Sequence, residues 1–309
     1  MKLSAQSQGM FPIAPTPFLD DGRIDFDSID RLVDFYVGCG CAGMTVLGVL
    51  GEAPKLDAAE AREVAARFIR RAPSLPVVVG VSSPGFAAMR ALARMAMDAG
   101  AAGVMIAPPH TLRTDDQIVG YYTQAVQAIG EDVPFCIQDY PLNTSVVMAP
   151  GVIRRIVADN PSCVMLKHED WPGLEKISRL RAWESAKEMR HVSILCGNNG
   201  LFLDFEPERG ADGAMTGYPF PDMLVEMLGL AAAGRRDEAH DLFDAHLPML
   251  RYEQQPGIGL AARKRVLQRR GLIATAAMRA PFAPLSATAT EEVDYLLARI
   301  GRVDARARL

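Results

Sequence analysis

The sequence predicts an α/β fold, a (β/α)8 TIM barrel with a C-terminal helical extension, on three observations. Eight short apolar, β-rich runs recur along the chain, each about 4–8 residues long, the size of a strand buried on both faces. Helical patterns lie between them at about 25–30 residue spacing, and a barrel of this kind takes about 250 residues. After about Pro221 the strand pattern stops and only helical patterns continue.

The eight runs are 10–18, which prolines interrupt, then 44–48, 76–81, 103–107, 134–140, 163–167, 192–197 and 213–217. Ile29, Leu32, Val33, Tyr36 and Val37 form one apolar stripe at helical spacing, with Gly38 and Gly40 as the stop. Asp57 and Glu60 stand at capping-box spacing, so Glu60 can reach back to a free backbone N–H at the start of the next helix. Ala88, Leu92, Met95 and Ala96 make another stripe, and Ile153, Ile156 and Val157 a further one. Segments 223–230, 237–250, 260–270 and 291–300 read as helices. The expected organisation is a barrel over 1–222 with a helical segment, 223–309, packed on it. A doubly wound open sheet is the runner-up; no GxGxxG fingerprint follows a strand, which weakens it.

Composition narrows the function classes. The 309 residues are 49% hydrophobic and 23% charged, with a net charge of −4, which is ordinary for a globular protein and excludes disorder and fibres. A mildly acidic chain without a basic run is not expected to bind nucleic acid. No run of about 18 apolar residues occurs, so no membrane span is expected. The start, MKLSAQSQGMFPIAP, has one lysine and no continuous apolar core, so no cleaved signal and a cytoplasmic location are expected. Five cysteines, Cys39, Cys41, Cys136, Cys163 and Cys196, are an odd number, and the last three lie in apolar runs, which reads as reduced thiols. Cys39 and Cys41 have no second pair at zinc spacing, so no metal is expected there.

A barrel of this type carries its chemistry at the C-terminal ends of its strands. Those ends read Gly48-Val49-Leu50-Gly51-Glu52, Pro108-Pro109-His110, Gln138-Asp139-Tyr140-Pro141, Lys167-His168-Glu169-Asp170 and Gly197-Asn198-Asn199-Gly200. Of six lysines, only Lys167 directly follows an apolar strand. A lysine pointing into a barrel loses hydration of its ammonium, which favours the free amine as a nucleophile. The competing reading is a strand-end lysine that snorkels to solvent or pairs with Glu169 or Asp170. Gly48 and Gly51 bracket a turn whose N–H groups could face an anion; an ordinary loop is the alternative. Glu52 is read as structural. His110 is either an exposed loop histidine or a proton-transfer group. Gln138 and Tyr140 share one strand face. HExxH, P-loop and GxSxG motifs are absent.

Taken together, these residues are similar to a known pattern. Pro15-Thr16-Pro17-Phe18, Asp21-Gly22-Arg23-Ile24-Asp25, Gly48-Val49-Leu50-Gly51-Glu52 with Leu56 and Glu60, Gly80-Val81, Ala99-Gly100-Ala101, Pro108-Pro109, Pro141-Leu142-Asn143-Thr144, Lys167 and Arg279-Ala280-Pro281-Phe282 run in order from about Gly9 to Leu285. The chain resembles the dihydrodipicolinate synthase/N-acetylneuraminate lyase family of class I aldolases. The resemblance implies a homotetramer built as a dimer of dimers, no metal or organic cofactor, and an imine between Lys167 and a 2-oxo acid such as pyruvate. The protonated imine is an electron sink that supports aldol addition, retro-aldol cleavage or loss of water.

The chain departs from that family at several places. The Ser or Thr residues usual inside the Gly-x-x-Gly-Glu loop are Val49 and Leu50, which leaves carboxylate binding to backbone N–H groups or other residues. Gln138 stands where the resemblance places the catalytic tyrosine, with Tyr140 two residues on. Asn143 replaces an arginine that binds a dicarboxylic intermediate, and His110 falls at about the place of a tyrosine contributed across a dimer interface. Tyr140 is the candidate relay, its phenol expected to be lowered by the Lys167 ammonium; a packing role is the alternative. The expected catalytic set is Lys167, Tyr140 and Gln138. The expected binding set is Gly48, Val49, Leu50, Gly51, His110, Asn143 and Gly197. The leading expectation is a Schiff-base lyase, dehydratase or aldolase, acting on a 2-oxo acid such as a 2-keto-3-deoxy sugar acid. Alternatives are pyruvate condensation like that of dihydrodipicolinate synthase, an impaired 2-oxo-acid-binding protein on the same scaffold and, more remotely, a metal-dependent barrel enzyme.

Overall fold

The structure is a computed structural model that describes residues 1–171 and 173–309. Its strands are β1 (Gly9–Pro12), β2 (Met44–Val46), β3 (Val77–Gly80), β4 (Gly103–Ile106), β5 (Phe135–Asp139), β6 (Cys163–His168), β7 (Ser193–Cys196) and β8 (Gly213–Thr216). All pairs are parallel, in the order β1-β8-β7-β6-β5-β4-β3-β2. A parallel bridge from Ile13 to Thr45 brings β1 back to β2, and the sheet curls into the expected barrel.

Each strand is apolar because both faces are covered. Phe11, Val78, Met105, Cys136, Met165, Leu195 and Met215 form the cluster that fills the barrel. Their neighbours, such as Met10, Val79, Val104, Ile137, Leu166 and Ile194, belong to the core beneath the helices. The first strand is shorter than expected: Pro12, Pro15 and Pro17 have no N–H to donate, and the ladder stops at Pro12.

The helices are α1 (Phe26–Gly38), α2 (Ala58–Arg71), α3 (Phe86–Asp98), α4 (Asp115–Ile129), the single turn α5 (Pro141–Thr144), α6 (Pro150–Asp159), α7 (Leu174–Ser185), α8 (Pro221–Ala232), α9 (Arg236–Tyr252), α10 (Gly259–Arg269) and α11 (Ala287–Ile300). The Asp57–Glu60 capping box at α2 is formed. Val37 is exposed, so the α1 stripe ends at Tyr36. In α3 the buried stripe is Met89, Ala93 and Ala96, one position round from the expected Ala88 and Leu92. Helix α8 packs on β1 and on α9. All five cysteines are free thiols, Cys39 and Cys41 lying 3.6 Å apart. Among the described residues, no helix is long and apolar enough to cross a membrane, and no group of three or more His, Cys, Asp or Glu could hold a metal ion.

Candidate active site

Three lysines are buried, and their partners separate them. An ammonium has three N–H donors. Lys176 spends them on Asp139 (2.8 Å), Asp170 (2.6 Å) and the Met148 carbonyl (2.7 Å). Lys264 spends them on Glu52 (2.6 Å) and the carbonyls of Thr16 (2.9 Å) and Ala277 (2.8 Å). Lys167 has one partner among the described residues, Glu169 at 2.8 Å. It lies two residues after Met165, so it points into the barrel above the apolar plug, and it is 4% exposed. Lys176 and Lys264 are tied structural cations, whereas Lys167 keeps unused bonding capacity inside the barrel mouth.

The same alternation carries Gln138 and Glu169 inward. Gln138 sits beside Lys167 in the β5–β6 register. Its Nε2 donates to Glu169 Oε2 at 2.8 Å. Glu169 Oε1 accepts the Asn198 backbone N–H at 3.3 Å. Gly197, at the end of β7, has no space for a Cβ because the Glu169 side chain occupies it. The Lys167–Glu169 pair therefore forms, but buried in the mouth rather than snorkelling to solvent. Glu169 was legible only as a pairing partner of Lys167; the Lys-x-Glu spacing at a strand end is the signal that both share the inner face.

Tyr140 caps α5 beside this group and is partly buried. The expected lowering of its phenol is reversed. Burial first, and then the Glu169 carboxylate, push its pKa up, against a weaker opposing pull from Arg263. The Lys167 charge is matched by Glu169, so Tyr140 keeps its proton and can donate a hydrogen bond but is not set up as a base.

The β2 loop is held from below and from the side. Leu47 and Glu52 are left-handed (φ 55 and 53°), and Gly80 is glycine because a Cβ there would strike the Leu47 carbonyl. The Gly51 and Glu52 amides close the turn onto the Gly48 and Val49 carbonyls. The expected anion-facing amides thus reduce to those of Gly48, Val49 and Leu50, which have no partner among the described residues. Leu50 dips toward the barrel plug against Gly217, and Val49 is exposed. Glu52 is tied into the structure by Lys55, three residues on, and from afar by Lys264 and the Arg279 N–H. A cavity of about 470 Å³ opens beside this loop and brings together Gly48, Val49, His110, Gln138 and Asn143. His110 and Asn143 are exposed on its rim. A larger cavity, about 640 Å³, opens near the N-terminal starts of the strands, away from Lys167, among Gly9, Ala42 and Asp212.

Behind the mouth, Glu206 is 6% exposed, and its Oε2 has no hydrogen-bond partner among the described residues. Burial lifts its carboxyl to about 7. The folded chain then holds a proton that the unfolded chain releases above an ordinary glutamate pKa of about 4.3. This contribution to stability is fully present below that value and is lost as pH rises through about 7, up to roughly 3 kcal/mol for one such group. Glu206→Gln is expected to lose less stability than the parent between pH 5 and pH 8 in urea titrations. Parallel losses in the two proteins would contradict this.

With the barrel and its mouth in place, comparison with known proteins is decisive. Residues 6–300 match the dihydrodipicolinate synthetase family. The chain belongs to that family. Among relatives of this family, L-2-keto-3-deoxyarabonate dehydratase of Azospirillum brasilense is 31% identical over 304 residues, covering 96% of this chain and 94% of the relative. A 4-hydroxy-tetrahydrodipicolinate synthase of Methanothrix thermoacetophila is 28% identical over 284 residues, 90% and 92% of the two chains. A crystal structure of dihydrodipicolinate synthase from Rhodopseudomonas palustris superimposes with a TM-score of 0.96 at 67% identity, over 97% of this chain and 99% of that one. The chain is accordingly a Schiff-base lyase of the dihydrodipicolinate synthetase family.

Proposed function

We propose that this family member dehydrates a 2-keto-3-deoxy sugar acid through an imine on Lys167, with Glu169 moving the protons. The observation that carries the reading is the Glu169 carboxylate, 2.8 Å from both Lys167 Nζ and Gln138 Nε2, inside the barrel mouth. The Lys167 amine attacks the C2 carbonyl, and water leaves as the imine forms. The protonated imine acidifies C3; Glu169 takes a C3 proton, and the C–H electrons enter the enamine. The enamine expels the C4 hydroxyl, which leaves as water with the proton that Glu169 returns, and a water then hydrolyses the unsaturated imine to free the product and the Lys167 amine. Gln138 cannot titrate and fixes the Glu169 carboxylate. Tyr140 donates a hydrogen bond, and the Val49 and Leu50 amides take the substrate carboxylate. His110 and Asn143 meet the distal hydroxyls, and side-chain-free Gly48, Gly51 and Gly197 leave the space. Glu169 supplies the proton relay whose loss, at Val49, Leu50 and Gln138, would otherwise favour a mere binding protein. Assembly as a dimer of dimers in the cytoplasm, with no cofactor, belongs to the same reading.

The second reading is condensation of pyruvate with aspartate semialdehyde, favoured by the 67% identical structure described as dihydrodipicolinate synthase. Exposed Asn143 counts against it, since no cation stands there to meet a second carboxylate. Loss of a charged hydrogen bond costs about 1.5–3 kcal/mol, roughly one to two decades in rate. The deciding experiment compares turnover of L-2-keto-3-deoxyarabonate and related acids with the coupled condensation assay. Water loss from a 2-keto-3-deoxy acid at least tenfold faster than condensation is expected; efficient condensation without dehydration would refute the proposal.

A further inference from the structure

The loop after β7 has a backbone that must be held in place. Asn198, Asn199 and Gly200 are successive left-handed residues, with φ of 52, 61 and 79°. Two of the three carry side chains, so the conformation is strained and persists only where its surroundings impose it. The C-terminal helices impose it. Asn199 Nδ2 donates to the Leu250 carbonyl (3.3 Å) and to Glu253 Oε2 (3.2 Å), both on or just after α9. Arg263 of α10 donates to Asn199 Oδ1 at 2.7 Å. Gln254 donates to the Asn198 carbonyl. Glu253 and Arg263 lie 3.3 Å apart and are buried with Asn199.

The other side of this loop is the active site. Asn198 presents its N–H to Glu169, and Gly197 lies against the Glu169 side chain. A continuous set of contacts thus runs from α9 and α10, through Asn199 and Asn198, to Glu169 and Lys167. Packing alone gives no reason for it. Among the described residues, Arg263 Nε and Nη1, Glu253 Oε1 and Asn198 Oδ1 are buried without hydrogen-bond partners, which an apolar cluster would avoid. Burial also lifts the Glu253 carboxyl to about 7, a further sign that the cluster is costly.

We propose that Asn199, Glu253, Gln254 and Arg263 are positioning residues that hold the β7 loop so that the Asn198 N–H fixes Glu169 for proton transfer at C3 of the Lys167 imine. This rests on Glu169 acting as the base, and the helices beyond the barrel then govern that step without touching substrate.

Pyruvate serves as the probe. Two readouts are taken: borohydride trapping at Lys167, and exchange of the pyruvate methyl protons in deuterated water followed by proton NMR. Asn199→Gly keeps the left-handed backbone and removes the side-chain contacts. It should trap pyruvate within about threefold of the parent while C3 exchange falls about 10- to 100-fold. Gln254→Ala, a half-buried position, should fall in the same direction by a smaller factor and stands in if Asn199→Gly does not fold. In a Glu169→Gln background, either change should lower residual exchange less than twofold, because the clamp acts through Glu169. Undiminished exchange in both single variants, or a full further loss in the Glu169→Gln background, would overturn the clamp alone. Normal exchange in Glu169→Gln by itself would overturn the function reading and the clamp together.

Discussion

Lys167→Ala is expected to abolish mass addition by pyruvate and borohydride and to lower turnover by about four decades or more, the scale found when a covalent nucleophile is removed. Lys167 is the one buried lysine whose ammonium is not saturated by protein acceptors among the described residues. Lys176 and Lys264 cannot take over, because each would have to give up a buried carboxylate and the backbone carbonyls that already saturate its ammonium. Lys167→Arg should fail too, since a guanidinium stays protonated and offers no amine lone pair. Intact-protein mass spectrometry after reduction, with turnover measured on the same samples, checks both variants. Retained turnover in Lys167→Ala would remove imine chemistry from this protein.

Glu169→Gln separates imine formation from the chemistry at C3. Glutamine has almost the shape of glutamate; its single carbonyl oxygen can still accept the Asn198 N–H, and its NH2 can bond Gln138 once the Gln138 amide turns its oxygen inward, but it cannot hold a proton in transit. Trapping at Lys167 should persist, while turnover falls by about two to four decades, the usual worth of a positioned general base. The variant also leaves the Lys167 charge without its carboxylate, a change of about 3–5 kcal/mol if the ammonium stayed charged, so a lower melting temperature is expected. Steady-state rates alongside thermal melts distinguish a lost base from a lost fold. Near-normal turnover would leave Glu169 a structural counter-ion.

Much of this architecture was legible in the chain. Strands buried on both faces make unbroken apolar runs, which is why all eight were found, and why the lysine closing one of them, Lys167, stood out. The ends of elements were less legible where local chemistry competes. Three prolines cut β1 short of the expected 10–18, and the α3 stripe turned by one position because alanine and methionine satisfy either face. The family pattern, from Gly48–Glu52 through Lys167 to Arg279, is also a property of sequence alone.

What the chain by itself determined, then, is the barrel, the family and the candidate nucleophile proposed here, Lys167, because each is marked by short-range periodicity or local runs of residues. Only the tertiary structure decided how the nucleophile is served. Glu169 meets Lys167 and Gln138 across two strands, Tyr140 has its phenol raised by burial first and then by a carboxylate 29 positions away in the chain, and Arg263 reaches Asn199 across 64 positions. Interactions at such separations depend on barrel closure and on where α9 and α10 come to rest. In the low-dielectric mouth they set the charge and proton balance on which the chemistry turns.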